Sequence, residues 1–443
     1  MRHQDRYGLE LSTLSDSAAA RYVEGVDLML SLWPTAQQVL DSAVEADPEF
    51  ALALAARARL HAIHAQISQA KAKIDAAQAL AARRGTERER SHVQILALAI
   101  HGKSSAALKG ALQHADRWPR DVVILSLLLG AFGLFAFSGM ADHDQARVDL
   151  CERHAAHFET DDWWFLCYRG WSHAENGNVK AGVEMTQRSL ELHRNNANAA
   201  HAYTHSLYEL GAAEEADTLI STWLPDYPKE GILHGHIAWH GALLALESGH
   251  PDRAMEVYQR HIIPSSNQGT PINIVSDTSS LLWRMQAYGY PVAESHWKHA
   301  ADYASNYFQR AGFPFADVHI AMILAATSKA DDLLSRTQDL EALLQSDALP
   351  AGPMVPAVCH GLLCFAEQDY AGSARILDRV LADVVRLGGS GAQRKIIEDT
   401  LIAAWMRSGD LDKAKSRIEM RLKRRPSRRD QQWLASIAQK KGP

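Results

Sequence analysis

Two pairs of histidines are the first candidates for chemistry in this 443-residue sequence. His201 and His205 lie in the stretch HAYTHSLYELG, and His236 and His240 lie in HGHIAWHGALL. Because an α-helix turns about 100° per residue, side chains four positions apart share one helix face. Two imidazoles on such a face can chelate a metal ion or act as a general acid and a general base.

Three interpretations of the histidine pairs stay open. A third ligand from a neighbouring helix would complete a metal site, although the sequence has no H-E-x-x-H signature. The imidazoles could instead form a metal-free pocket, or they could only pack between helices. We favour the pocket, with His201, His205, His236 and His240 as acid–base catalysts and no metal cofactor. Zinc or another divalent ion is kept as the less favoured alternative.

Further polar and aromatic side chains could contact a ligand in this pocket. Tyr208 shares the helix face of the first pair, and Tyr168 belongs to the repeat before it. Asp277 and Asp317 precede apolar runs and are interpreted first as helix N-caps, with orientation of a histidine as the alternative. The predicted ligand-binding set is Tyr168, Tyr208, Trp239, Asp277, Asp317, His319 and Arg394.

The run GGSGAQR contributes Arg394 to that set. Backbone amides at a glycine-rich helix start, with an arginine nearby, can bind an anionic group. The alternative is a flexible loop between two helices. No phosphate-binding loop or dinucleotide fingerprint accompanies the run, so the loop is the slightly preferred interpretation.

Helices must position these residues, because strand signals are scarce and helix formers dominate the chain. Turns at Gly177, Gly211, Gly249, Asp369 and Gly409 are each followed five residues later by glycine or alanine. Such a turn ends one helix, and the small residue lets the next helix approach it closely. The pattern predicts an all-α solenoid of tetratricopeptide-like hairpins, coiled as a right-handed superhelix with a concave inner face.

The same pattern places the histidine pairs and divides the chain. Corresponding faces of successive repeats line the concave side, so the two pairs are expected to face each other. We expect N-terminal repeats over 1–120, central repeats with a His-lined groove over 121–320, and C-terminal repeats over 321–443. A long loop is predicted over 262–282, before a helix that starts near Asp277, and a glycine-rich break over 386–394.

Composition narrows the class of protein. The chain is 47% hydrophobic and 22% charged, with a net charge of −6, which indicates a folded protein without the basic surface that nucleic acid requires. Four cysteines without a C-x-x-C pair do not indicate a disulfide framework. The first residues lack the apolar core of a signal peptide, so we expect a cytoplasmic protein.

The uncharged stretch 122–141 is long enough to span a bilayer. Glycines and serines dilute its hydrophobicity, and its flanks show no basic bias. We therefore predict a buried helix and no membrane contact.

The motifs taken together resemble the tetratricopeptide repeat protein 38 family over nearly the whole length. The resemblance rests on TERERSHVQILALAIHGK, WPRDVVIL, HAYTHSLYE, HIAWHGALLALESG, SDTSSLLWRM, FADVHIAMILA, FAEQDYAGSARIL and GGSGAQR, in this order. It implies a helical-repeat fold and leaves the biochemical role undefined.

Two positions depart from the pattern of that family. Tyr208 stands where an acidic residue is expected after the first histidine pair, and Lys395 stands where an acid often follows GGSGAQR. If an acid at either position is functional in the family, this chain has changed that function.

The sequence thus favours a His-lined concave pocket that binds a small polar or anionic molecule and acts on it by acid–base chemistry. The alternative is a non-catalytic scaffold that holds a protein or peptide partner in the same groove. Whether the chain is an enzyme, and its oligomeric state, are not predicted.

Overall fold

The computed structural model describes residues 3–441, and these contain 23 α-helices and one short antiparallel β pair. The pair joins β1 (His3–Gln4) to β2 (Glu10–Leu11). The prediction of an all-α fold is therefore confirmed.

The described chain divides into two compact units. The first comprises the residues up to Ser138, Asp142–Tyr203 and Glu230–Leu233, and the second comprises Gly139–Ala141, Thr204–Lys229 and the residues from His234 onward. Helix α11 (Ala197–Leu210) starts in the first unit and ends in the second. The predicted division into three groups of repeats stays a prediction.

The other helices of the first unit are α1 (Asp16–Leu30), α2 (Ala36–Ala46), α3 (Ala51–Ile63), α4 (Ile67–Arg84), α5 (Glu87–Ile100), α6 (Ser104–Arg117), α7 (Val122–Leu129), α8 (His143–His154), α9 (Trp163–Glu175) and α10 (Val179–Leu192). Those of the second unit are α12 (Ala213–Trp223), α13 (His234–Glu247), α14 (Pro251–Val257), α15 (Pro271–Ala287), α16 (Glu294–Ala304), α17 (Pro314–Ala326), α18 (Ala330–Gln345), α19 (Met354–Ala366), α20 (Tyr370–Val380), α21 (Gly391–Ser408), α22 (Leu411–Arg424) and α23 (Arg428–Lys441). Short helical segments of other pitch are Ala155–His157, Leu224–Asp226, Tyr258–Ile262 and Leu381–Leu387.

Neighbouring helices pack as hairpins within each unit. In the first unit α1 packs on α2, α3 on α4, α5 on α6 and α9 on α10. In the second unit the pairs run from α13 with α14 to α21 with α22, and their first helices, α13, α15, α17, α19 and α21, pack side by side. This is the predicted tetratricopeptide-like arrangement of helical hairpins.

The turns of the hairpins have the predicted geometry. Gly177, Gly211, Gly249 and Gly409 have positive φ angles, which glycine adopts at little cost. The residues five positions later are close-packed. At Gly182 an added Cβ would lie 2.6 Å from the Cβ of Ala174, and the corresponding alanines are buried: Ala216, Ala254, Ala374 and Ala414.

The loop predicted before residue 277 is shorter than expected. Helix α15 already begins at Pro271, whose fixed φ suits the first helical position. The serines and threonine that follow fit inside the helix because their hydroxyls bond to backbone carbonyls, as Ser279 Oγ does to Val275 at 2.7 Å. Asp277 is therefore an interior residue of α15, and its predicted role as an N-cap is wrong.

The uncharged stretch 122–141 does not form one long helix. Helix α7 ends at Leu129, and Gly130 follows it with a ψ angle of 154°, outside the helical range. Within residues 3–441, none of the helices combines the length and the hydrophobicity that crossing a membrane requires.

Candidate functional site

Helices α11 and α13 bring three of the predicted catalytic histidines together in the second unit. His205 comes from α11, and His236 and His240 come from successive turns of α13. The ring centroids of His205 and His240 lie 4.2 Å apart, and those of His236 and His240 lie 5.1 Å apart. One ring nitrogen from each residue lies within 4.8 Å of those of the other two. We call these three residues the histidine cluster.

The histidine cluster lies in the interior of the protein. His205 and His240 have no exposed surface, and His236 is 4% exposed. Helix α13 is buried along its whole length, which explains why its sequence shows no polar face. Buried imidazoles that converge in this way can bind a cation or move protons.

Asp277 on α15 orients one member of the cluster. Nδ1 of His236 lies 2.9 Å from both carboxylate oxygens of Asp277, which is fully buried. Burial raises the pKa of Asp277, and the interaction with His236 opposes that rise. The carboxylate accepts the Nδ1 proton of His236, so that Nε2 of the same ring carries the lone pair. Sequence analysis held this role only as the alternative for Asp277.

Trp239 packs against the same two residues of α13. Its ring stacks on His236 with centroids 5.3 Å apart and planes at 12°, and it meets the His240 ring edge-on at 5.0 Å. The guanidinium of Arg284 lies 5.6 Å from the Trp239 centroid. Trp239 therefore restrains the imidazoles by contact, whereas its predicted binding of a ligand stays a prediction.

His201 lies one turn before His205 on α11. It is buried, and its ring stacks on Trp171 of the first unit with centroids 5.6 Å apart. The spacing along the helix puts His201 and His205 on one face of α11, as the sequence predicts.

Tyr208 belongs to a second polar group, built around Glu247 at the end of α13. The Tyr208 hydroxyl donates to Glu247 at 2.6 Å, and Lys395 and Arg425 donate to the same oxygen at 2.7 and 2.6 Å. Arg425 also lies 4.1 Å over the Tyr208 ring. Although burial raises the pKa of Glu247, Lys395 and Arg425 outweigh it and hold that pKa well below its usual range. We call these four residues the Glu247 cluster.

An open cleft adjoins the Glu247 cluster. It has a volume of about 410 Å³ and lies among the ends of α11 and α13, the start of α12 and the segment that joins α22 to α23. Its polar lining includes both acidic and basic side chains. We call it the Tyr208 cleft, and its lining residues are Tyr208, Gly211, Ala212, Ala213, Glu214, Glu215, Leu244, Glu247, Ser248, Arg425, Pro426, Ser427, Arg428 and Gln431.

Asp317 and His319 have local partners on or beside α17. Asp317 accepts from the backbone N–H of Gly312 at 3.0 Å and pairs with Arg336 at 2.8 Å. It lies inside the first turn, so Phe313 and not Asp317 is the N-cap. Nδ1 of His319 donates to the Phe315 carbonyl at 2.7 Å, and burial lowers the pKa of His319 to about 4. Asp317 therefore orients Arg336.

Arg394 and Tyr168 also have contacts away from the cluster. Arg394 donates to the Gly389 carbonyl at 2.7 Å, and Ser390 caps α21 through a capping box with Gln393. The glycine-rich run thus forms an ordered helix start. Tyr168 is buried in the first unit against Trp164, and burial raises its pKa to about 12. Ligand binding by either residue stays a prediction.

Sequence reasoning missed Glu247 and Arg425 as site residues. Lys395, their partner, is not among the predicted site residues either. The signal for Glu247 was available, because a carboxylate inside the apolar run GALLALE needs a buried counter-charge. The identity of its partners was not, because they lie 148 and 178 residues further along the chain.

No family model matches this chain. Similar solved structures include yeast Tom70, at 13% identity and a TM-score of 0.34 over 95% of this chain and 86% of that one. The tetratricopeptide domain of P58(IPK) matches at 13% identity and a TM-score of 0.21, over 89% of this chain and 98% of that one. The Naa15/Naa10 complex bound to HypK-THB matches at 12% identity and a TM-score of 0.26, over 90% of this chain and 62% of that one. This chain thus spans less than two thirds of the length of that last match. These likenesses are too distant to transfer a partner or an activity.

Proposed function

We propose that this chain is a helical-repeat scaffold that holds a peptide segment of a partner protein in the Tyr208 cleft. The observation that supports the proposal is the cleft itself, which is open, has a volume of about 410 Å³ and lies where several helix ends meet. Stacked helical hairpins commonly bind peptides on such surfaces, and a scaffold needs no catalytic groups. The cytoplasm as its compartment stays a prediction.

The lining of the cleft favours a polar peptide that carries both charge signs. Glu214 and Glu215 lie on the first turn of α12, and Arg428 opens α23. Arg428 reaches Glu214 at 3.1 Å, but both side chains are largely exposed, so a partner can exchange this pair at little cost. Leu244 is the single large aliphatic side chain among the lining residues. An apolar helix would therefore find few contacts here.

A site-specific photo-crosslinking experiment tests the scaffold. A photoreactive residue replaces exposed Gln431 in the cleft, and in a matched control it replaces exposed Gln345 at the end of α18. We expect one peptide of one partner to be captured at position 431, and its capture to be lost when Ser248→Trp fills the cleft. Equal capture at both positions, or capture that Ser248→Trp leaves unchanged, would contradict the scaffold.

A second candidate function is binding of a small polar or anionic molecule at the histidine cluster, with acid–base chemistry on it. Its support is the convergence of His205, His236 and His240 beside the Asp277 carboxylate. Native mass spectrometry of untagged protein, beside a His205→Asn/His240→Asn double variant, tests it. A bound organic molecule that the double variant lacks would support this function, and a bare chain in both samples would oppose it.

We infer, finally, that the chain is a member of the tetratricopeptide repeat protein 38 family, on the strength of its ordered motifs. Residues of the two clusters come from HAYTHSLYE, HIAWHGALLALESG and the position after GGSGAQR, and SDTSSLLWRM supplies Asp277, which contacts His236. Isolation of a partner peptide for a second protein with the same motifs, at the equivalent cleft, would test whether the scaffold belongs to the family as a whole.

A further inference from the structure

The histidine cluster has the ligand set of a metal site. Three buried imidazoles from two helices converge so that one ring nitrogen of each lies within 4.8 Å of the others. Around a zinc ion, Zn–N bonds of about 2.0–2.1 Å would bring tetrahedral ligand nitrogens to roughly 3.4 Å from one another. Small rotations about the side-chain bonds of residues that already point at one place would achieve this contraction.

The surroundings of His236 have the features of a metal ligand's outer shell. Histidines that bind metals commonly donate their other ring N–H to a carboxylate, which fixes the tautomer and raises the basicity of the ligand nitrogen. Asp277 accepts the Nδ1 proton of His236 through both oxygens at 2.9 Å. The stacked Trp239 ring, at 12° to the imidazole plane, holds the ring in that orientation.

The type of ligand selects the class of metal. Calcium and magnesium prefer oxygen ligands, whereas imidazole nitrogens suit zinc, copper and nickel. The buried Asp277 carboxylate, next to the ligand, supplies negative charge that helps a dication leave water.

We propose that His205, His236 and His240 bind one zinc ion, with Asp277 as the residue that positions His236. The site shares no residue with the lining of the Tyr208 cleft, so the scaffold and the zinc site can fail separately. If a small molecule binds at the histidine cluster, as in the second candidate function, it would then bind beside a zinc ion and not in a metal-free pocket.

Zinc titration of the full-length untagged chain tests the site. The protein is stripped with a chelator and titrated against a chromophoric zinc indicator. We expect one equivalent of zinc per chain, and His205→Asn and His240→Asn should each abolish stoichiometric binding. Asp277→Asn should weaken the affinity about 10- to 100-fold while leaving the stoichiometry unchanged, as loss of an outer-shell carboxylate does.

The matched control is His234→Asn. His234 lies on α13 two residues before His236, but its ring contacts the Tyr227 carbonyl and His261, each at 3.0 Å. This variant should bind zinc like the wild type. Failure of the wild type to compete with the indicator, or equal binding by all four variants, would overturn the proposal.

If the histidine variants do not fold, the visible absorption spectrum of the cobalt-substituted wild type tests the site. Cobalt(II) substituted for zinc absorbs strongly in the visible range when it has four or five ligands and only weakly when it has six. A strong visible spectrum at one equivalent, abolished by added zinc, would support the site. A weak spectrum that zinc does not change would overturn it.

Discussion

The Glu247 carboxylate links two side chains, Tyr208 and Lys395, that both donate hydrogen bonds to it. It accepts from Tyr208 at 2.6 Å and from Lys395 at 2.7 Å. Lys395 also reaches the Tyr208 hydroxyl at 3.4 Å. An acid at either position would bring a second carboxylate close to Glu247, where like charges repel. Tyr208 and Lys395 therefore act as a pair around one carboxylate.

Replacement of Glu247 by Gln should destabilise the protein strongly. The change removes one buried negative charge and leaves the side chains of Lys395 and Arg425, which are 14% and 10% exposed, without their counter-ion. Breaking a buried ion pair from one side costs about 3–5 kcal/mol of unfolding free energy. Urea denaturation should show this loss, whereas Glu256→Gln on the exposed side of α14 should stay within about 0.5 kcal/mol of the wild type.

The same substitution should change the response to acid. The Lys395 and Arg425 cations hold the pKa of Glu247 below its usual range, so the folded state favours the ionised form. Its contribution to stability is complete above the ordinary glutamate pKa of about 4.3 and is lost as the pH falls below that value. The difference in unfolding free energy between wild type and Glu247→Gln should therefore shrink on acidification. A difference that is constant from neutral pH into the acid range would show that the carboxylate is not held ionised.

At the scale of the helix, the packing around a glycine decides whether its replacement by alanine raises or lowers the stability of the protein. Gly182 on α10 faces α9 so closely that an added Cβ would lie 2.6 Å from the Ala174 Cβ and 2.9 Å from the Gly170 carbonyl. Gly241 on α13 has room, since the nearest atom to an added Cβ is a methyl carbon of Ile220 at 3.8 Å. Both glycines lie inside helices, so both lower intrinsic helix stability.

Gly182→Ala should therefore destabilise the protein, and Gly241→Ala should stabilise it. Forcing α9 and α10 apart costs about 1–3 kcal/mol, against a gain in helix propensity of about 0.5–1 kcal/mol, so the net change is destabilising over most of that range. At Gly241 the gain of about 0.5–1 kcal/mol is unopposed. Urea midpoints of the two variants should shift in opposite directions. A rise in both midpoints would mean that α9 and α10 adjust without strain, and a fall in both would mean that the space beside Gly241 does not accept a methyl group.

The helical hairpins could be predicted from sequence because their turns are local. Gly177 and Gly249 end helices by positive φ angles, and the small residue five positions later follows from the close approach. The role of Asp277 could not be predicted from the residues next to it in the sequence. The run DTSS has the composition of a cap, but Pro271 starts the helix earlier, and only the packing of α15 on α13 puts Asp277 against His236. Contacts between distant repeats depend on how the hairpins stack on one another, which the pattern of a single repeat does not specify.

At the scale of the whole molecule, the second unit is more than a row of neighbouring hairpins. In an ideal repeat array each hairpin contacts only the next one. Here α21 also packs on α15, and three hydrogen bonds from α15 and its C-cap residue cross more than 100 residues of sequence. Their donors are the Trp283 indole to Thr400 at 2.9 Å, the Tyr288 hydroxyl to Asp399 at 2.8 Å, and Arg284 to the Ala392 carbonyl at 2.6 Å.

This long-range contact predicts how a local defect spreads through the second unit. Ala414 on α22 is fully buried in the last hairpin, so Ala414→Gln forces a larger polar side chain against α21. Hydrogen exchange reports such local openings segment by segment. We expect faster exchange in α21–α23 and also in α15, because α15 has lost a stable partner. Helix α18, which packs on α17 and α19, serves as the internal reference, and Lys415→Gln on the exposed face of α22 serves as the control. If α15 keeps its protection while α21 loses it, the contact between them contributes little, and the unit behaves as a one-dimensional array.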